Sequence, residues 1–188
     1  MAESTVFEKK KAAAGTVLTA LFAALIAGGT FVSVPLPFSP VPVVLQNLFT
    51  VLAGLVLGPV LGPAAAALYL AAGALGFPVF AGAAGGIAHF AGPTGGFLAG
   101  YFLAALAAGL ACGKPGVPAP RGKIIFAAAL GFLVIYVPGL IWLKQFTGNW
   151  AGALTAGFFP FLPGDAAKAF IAVTAAPRLR RLAADQLG

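Results

Sequence analysis

The chain has 188 residues, of which 61% are hydrophobic and 8% charged, and its mean hydropathy is +1.02. A soluble domain carries about 25% charged residues, and a disordered chain needs low hydrophobicity with high net charge, so both classes are excluded and lipid is the solvent that remains. The net charge of +7 would suggest nucleic acid in a soluble protein, but the positives lie in clusters (Lys9, Lys10, Lys11; Lys114, Arg121, Lys123; Arg178, Arg180, Arg181) that flank apolar segments as cytoplasmic anchors do, so no nucleic-acid partner is expected.

In chain order, a polar stretch over 1–11 precedes a first apolar segment from about Ala12 to Val32. That run exceeds the roughly 7–15 residues of a signal-peptide core, so it reads as a retained first helix. It stops at Pro35, Pro37, Pro40 and Pro42, whose spacing excludes a helix and favours an extended path. Segment two, about Val43 to Leu57, ends at Gly58-Pro59. Segment three starts after Gly62-Pro63, runs to about Leu75 and ends at Gly76-Phe77-Pro78. Both are shorter than the roughly 20 residues of a standard span.

The stretch 77–93 contains Gly82, Gly85, Gly86 and Gly92, with Gly95 and Gly96 following. It is apolar but too rich in glycine for continuous helix. Irregular backbone at membrane depth survives only where protein buries it or it lines a cavity. Segment four covers about Thr94 to Ala111, and a basic connection leads to segment five, Lys123 to Leu143. Segment six, Ala151 to Ala176, is interrupted at 159–164, and 177–188 reads as a tail.

These elements predict an all-α membrane domain of six transmembrane helices with both termini cytoplasmic. Nine of the eleven Lys and Arg residues fall on the inner side, whereas the outer loops 33–42, 77–92 and 145–159 contain no Lys, Arg, Asp or Glu. The single Cys112 excludes an internal disulfide, and His89 stands without Cys, Asp or Glu nearby, so neither a metal nor a cofactor is expected. The sequence contains no G-x-x-x-x-G-K-[ST] loop, HExxH motif or Ser-His-Asp arrangement; a transport or binding subunit fits better than an enzyme.

Of the four acidic residues, only Asp165 lies between apolar runs, and Lys168 follows on the same helical face. A charge near the bilayer centre costs about 2.5–3.5 kcal/mol on insertion scales, so such groups are functional by default. Side by side, a carboxylate and an ammonium can hold a neutral polar ring with N–H donors and a carbonyl, or a zwitterion. Tyr69 in segment three and Gln46 with Asn47 at the start of segment two are further polar candidates, weighed against belt, capping or helix-packing roles. Trp150, Phe158, Phe159 and Phe161 bracket the last outer loop as belt aromatics or as a closure over a ligand.

Several motifs taken together resemble one family. They are Pro40-Val-Pro-Val-Val-Leu-Gln46, Val51-Leu-Ala-Gly54 with Leu57-Gly-Pro59, Tyr69 with Gly73 and Gly76-Phe-Pro-Val-Phe-Ala81, Gly92-Pro-Thr-Gly-Gly-Phe-Leu-Ala-Gly100, and Pro163-Gly-Asp165-Ala-Ala-Lys168. In this order they are similar to the BioY family, the biotin-specific substrate-capture subunits (S components) of energy-coupling factor (ECF) transporters. The resemblance covers residues 12–176. It implies a six-helix fold roofed by the loops after helices one, three and five, located in the cell membrane. Biotin would be the transported ligand, contacted at the positions of Asp165, Lys168, Tyr69 and Gln46. It further implies a transmembrane coupling protein and two cytoplasmic ATPases as partners. The coupling protein would meet an Ala-x-x-x-Ala face that Ala20 and Ala24 match, as do Ala23 and Ala27. A self-sufficient secondary transporter or facilitator of a vitamin-like molecule is the alternative.

Overall fold

The computed structural model describes residues 2–187, with side chains from residue 7 onward. Helix α1 spans Ala2–Gly28 and is followed by strands β1 (Ser33–Leu36) and β2 (Ser39–Val44). Helix α2 (Gln46–Ala74) leads through an irregular loop with a 3₁₀ turn at Ile87–Ala91 to α3 (Gly95–Cys112). Helices α4 (Arg121–Thr147), α5 (Trp150–Gly157) and α6 (Leu162–Leu187) complete the chain.

The proline-rich stretch is extended as expected, but it closes into an antiparallel hairpin. Ser33 pairs with Val44, Val34 with Val43 and Leu36 with Ser39, with an irregularity between Val34 and Leu36 where Pro35 lacks its N–H. The hairpin is tied to the rest of the molecule at both strands' ends. Leu45 N–H donates to Gly29 O at 3.2 Å, and Ser39 Oγ donates to Ala156 O on α5 at 2.6 Å.

Helix α2 is a hairpin of two helical legs, 46–57 and 59–74. Gly58 takes φ 79° and ψ −166°, outside the helical region, and Pro59 cannot continue the ladder. The reversal is visible in one bond: Gln46 Nε2 donates to Tyr69 Oη at 2.8 Å, whereas 23 residues of straight helix would separate them by about 34 Å. The legs touch through glycine, and a Cβ on Gly62 would lie 2.7 Å from the Gly54 Cα. Segments two and three are thus these two legs.

Helices α3 and α4 approach as closely. A Cβ on Gly100 would stand 2.7 Å from Ile135 O, which assigns the Gly96/Gly100 spacing to packing within the chain. The core runs through all the long helices, with Ile26, Leu55, Tyr69, Phe80, Ala104, Ile124 and Leu143 almost fully buried.

The first and last helices extend beyond their apolar runs. The stretches 1–11 and 177–188, read as tails, are helical as far as they are described: α1 starts at Ala2, and α6 passes Pro177 to Leu187. Hydropathy marks where lipid contact ends, not where hydrogen bonding ends, and the Ala, Glu, Lys and Leu of these stretches are good helix formers. The expected segment six is divided between α5 and α6, with turns at 158–161.

At the end of α6 away from Asp165, Arg180 is buried and donates to four backbone carbonyls. Nη1 reaches Leu55 O, and Gly113 O at 3.2 Å; Nη2 reaches Lys114 O at 2.7 Å and Val117 O at 3.2 Å. Leu55 O lacks a helical donor because the residue four positions on is Pro59. One guanidinium therefore caps the α2 reversal and the α3–α4 connection together. From sequence, Arg180 was grouped with the basic anchors.

Candidate ligand-binding site

Helix α6 opens at Leu162-Pro163, where proline's missing N–H costs nothing, and this places Asp165 in its first turn beside the positive end of the helix dipole. Lys168, one turn on, donates from Nζ to Asp165 Oδ1 at 3.0 Å. It is the only ion pair among the described residues, and both members are buried, at 7% and 5% exposure. Burial of such a pair is tolerable only with further hydrogen bonds, and two other helices supply them. Asn47 Nδ2, from the start of α2, donates to Oδ1 at 2.8 Å. The Tyr136 hydroxyl, from α4, donates to Oδ2.

This cluster forms the base of a small chamber of about 50 Å³. Its walls include Val41 and Pro42 of the hairpin, Phe97 and Tyr101 of α3, and Phe161. The Tyr101 hydroxyl makes no hydrogen bond to any described residue, although the side chain is 6% exposed. Above the chamber lies a wider vestibule of about 760 Å³, enclosed by the hairpin and the 77–94 loop. Pro42, Ala81 and Thr94 line both spaces, so the vestibule adjoins the chamber that Asp165 lines.

The predicted residues are only partly brought together. Asp165 lines the chamber, and Lys168 adjoins it through its bond to Asp165 without lining it. Gln46 and Tyr69 do not line the chamber; they bond to each other in a buried cluster behind it. There the Gln46 amide also donates to Thr30 Oγ1 and to Val79 O at 3.0 Å, and Thr30 Oγ1 donates to Val79 O at 2.6 Å. This cluster locks the end of α1 to the start of the 77–94 loop. Asn47, a polar candidate from the sequence, lines the chamber, and Tyr101 and Tyr136 are the polar lining residues that sequence reasoning did not single out. Of the bracketing aromatics, Phe161 lines the chamber and Phe158 packs edge-on against Tyr136, with centroids 4.8 Å apart. Phe159 and Trp150 are exposed.

On α1 the alternatives separate. Ala20 and Ala24 are exposed, whereas Ala23 is buried and Ala27 half-buried. The outward alanine face therefore carries Ala20 and Ala24.

The family model for the BioY family matches residues 3–185. The chain belongs to the BioY family. Among BioY relatives, a protein named "Probable biotin transporter BioY" from Pyrococcus horikoshii is 46% identical over 164 residues, covering 87% of this chain and 94% of its own. The "Biotin transporter BioY" of Thermotoga maritima is 37% identical over 162 residues, covering 86% and 93%. A crystal structure described as the S-component for biotin from an ECF-type ABC transporter superposes with a TM-score of 0.78 at 29% identity, covering 89% of this chain and 90% of that one. Among the described residues, four helices, with α2 counted once, are long and apolar enough to cross a membrane. This BioY chain is a multi-pass integral membrane protein with the S-component fold.

Proposed function

We propose that the chain captures biotin at the outer face of the cytoplasmic membrane and carries it inward as the substrate-specific subunit of an ECF-type transporter. It crosses the membrane six times, the two legs of α2 counting separately, with both termini in the cytoplasm. The observation that supports this most directly is the buried Asp165–Lys168 pair at a chamber that adjoins the vestibule among the loops. Relatives named as biotin transporters supply the ligand's identity.

Biotin has a ureido ring with two N–H donors and one carbonyl, joined to a chain that ends in a carboxylate. Asp165 accepts from the ring N–H groups, Lys168 donates to its oxygen, and Tyr101 and Phe97 flank the ring system. The carboxylate tail extends past Thr94 into the vestibule. A carboxylate offers about four acceptor sites and Asp165 uses three of them, so a ring N–H can bond to Oδ2 while Asp165 stays paired. Energy comes from a transmembrane coupling protein, which meets the exposed Ala20/Ala24 face, and from two ATPases bound to it.

Titration of the detergent-purified chain with biotin and with other vitamins tests the reading. Saturable biotin binding that Asp165→Asn weakens about a hundredfold, the size of one or two charge-assisted hydrogen bonds, is expected. Saturation by a different vitamin with no response to biotin would reject the substrate while leaving a capture subunit.

A further inference from the structure

The vestibule is lined by small and apolar residues, serine and threonine hydroxyls, and one titratable side chain, His89. That imidazole is held from two sides. Its ring stacks on Phe80 with centroids 5.1 Å apart and planes 22° from parallel. Phe80 is itself fully buried, edge-on to Tyr69 and Phe90. Nε2 of His89 lies 3.2 Å from Thr94 Oγ1, and Thr94 belongs to both the vestibule and the inner chamber. Nδ1 has no hydrogen-bond partner among the described residues.

We infer that His89 is a proton-linked specificity residue: in its doubly protonated form it engages the anionic tail of a ligand lying in the vestibule and fixes the Thr94 hydroxyl beside it. The inference rests on the capture reading above and adds to it a residue and a pH dependence. A doubly protonated imidazole donates from both nitrogens. Nε2–H then donates to Thr94 Oγ1, which frees the hydroxyl proton for a ligand oxygen, while Nδ1–H and the ring's charge serve a carboxylate. The neutral ring supplies no charge.

The surroundings set the direction of the effect. Partial burial lowers the His89 pKa below the ordinary imidazole value of 6.5, so the ring is neutral at pH 7.5 and gains charge as the medium acidifies. An anion bound beside it favours the charged form, so affinity for that anion rises as pH falls through this range. A carboxylate of ordinary pKa stays ionised at about pH 5.5. No Lys, Arg, Asp or Glu lines the vestibule. The titratable groups that face His89 across its packing partners are Tyr69, behind Phe80, and Asp165, at the base of the chamber that Thr94 also lines. Asp165 is common to wild type and variants, which makes substitution at residue 89 the discriminating arm.

The test measures dissociation constants of the purified full chain for biotin and for uncharged biotin amide at pH 7.5 and pH 5.5. Wild type is compared with His89→Gln, which keeps a polar group but cannot charge. Biotin is expected to bind wild type roughly three- to fivefold more tightly at the lower pH, the scale of a partly exposed ion pair. Biotin amide shows no such gain, and His89→Gln shows no gain for either ligand. Equal pH dependence in wild type and His89→Gln, or an equal gain for the amide, would overturn the inference. Absence of biotin binding at both pH values in both proteins overturns the substrate reading itself and removes the inference with it. That outcome is recognised by its indifference to pH and to residue 89.

Discussion

Asp165 is held by Asn47, Tyr136 and Lys168, donors from three helices that converge on one carboxylate. Removing only the lysine strands a buried negative charge, which costs about 3–5 kcal/mol. Lys168→Ala is therefore expected to lower the melting temperature of the detergent-solubilised protein sharply. Asp165→Asn combined with Lys168→Met, which leaves no charge behind, recovers most of that loss yet still fails to bind biotin. Thermal melts beside a binding titration separate the two roles; a double variant as unstable as Lys168→Ala would refute the account. The pair was legible in the sequence because ionised groups are so rare between apolar runs. Of its neutral partners, Asn47 stood out only as a polar candidate and Tyr136 not at all, since an asparagine next to a helix start and a tyrosine in an apolar helix look the same whether they cap, sit in an aromatic belt or reach a carboxylate. Gln46 and Tyr69, read from sequence as ligand contacts, bond to each other in a buried cluster beside the chamber.

Among the elements, α2 was read as two short segments from Gly58-Pro59, and the reversal there follows from Gly58's positive φ and Pro59's missing donor. Arg180 was not legible as their partner. It is one of three arginines near the end of the chain, and only the fold reveals that a carbonyl orphaned by Pro59 waits opposite it. Each buried carbonyl left unpaired costs about 1–3 kcal/mol. Arg180→Ala is thus expected to destabilise more than Arg181→Ala, whose side chain is exposed. Parallel thermal melts check this, and equal losses would contradict the capping role. The proline-rich hairpin was foreseen as extended but not as paired, because alternate prolines remove donors and hide the remaining ladder from a pattern-based reading.

For the whole molecule, the S-component fold and its membrane setting were written into composition, the spacing of breaks and the ordered motifs, whereas the choice of the outward alanine pair needed the packing of α1. Ala23 turns inward and Ala20 and Ala24 outward. Ala20→Leu with Ala24→Leu is expected to leave biotin binding by the isolated chain unchanged while abolishing co-purification with a transmembrane coupling protein and biotin uptake by cells. Loss of binding in the isolated chain would place those residues in the ligand site or the core. Uptake by the wild type that collapses with an ion gradient while ATP is maintained would instead favour a secondary transporter.

Helix α6 has an ionised side chain anchored near each end: the carboxylate of Asp165 among side chains of three helices and the guanidinium of Arg180 among backbone carbonyls. Fifteen residues separate them, about 22 Å of helix. A helix resists stretching, so force applied near the basic end is delivered to the floor of the chamber as rotation or tilt, with Pro177 the one place along the lever where a backbone hydrogen bond is missing. A displacement of that end would reach Asp165 through a single rigid element.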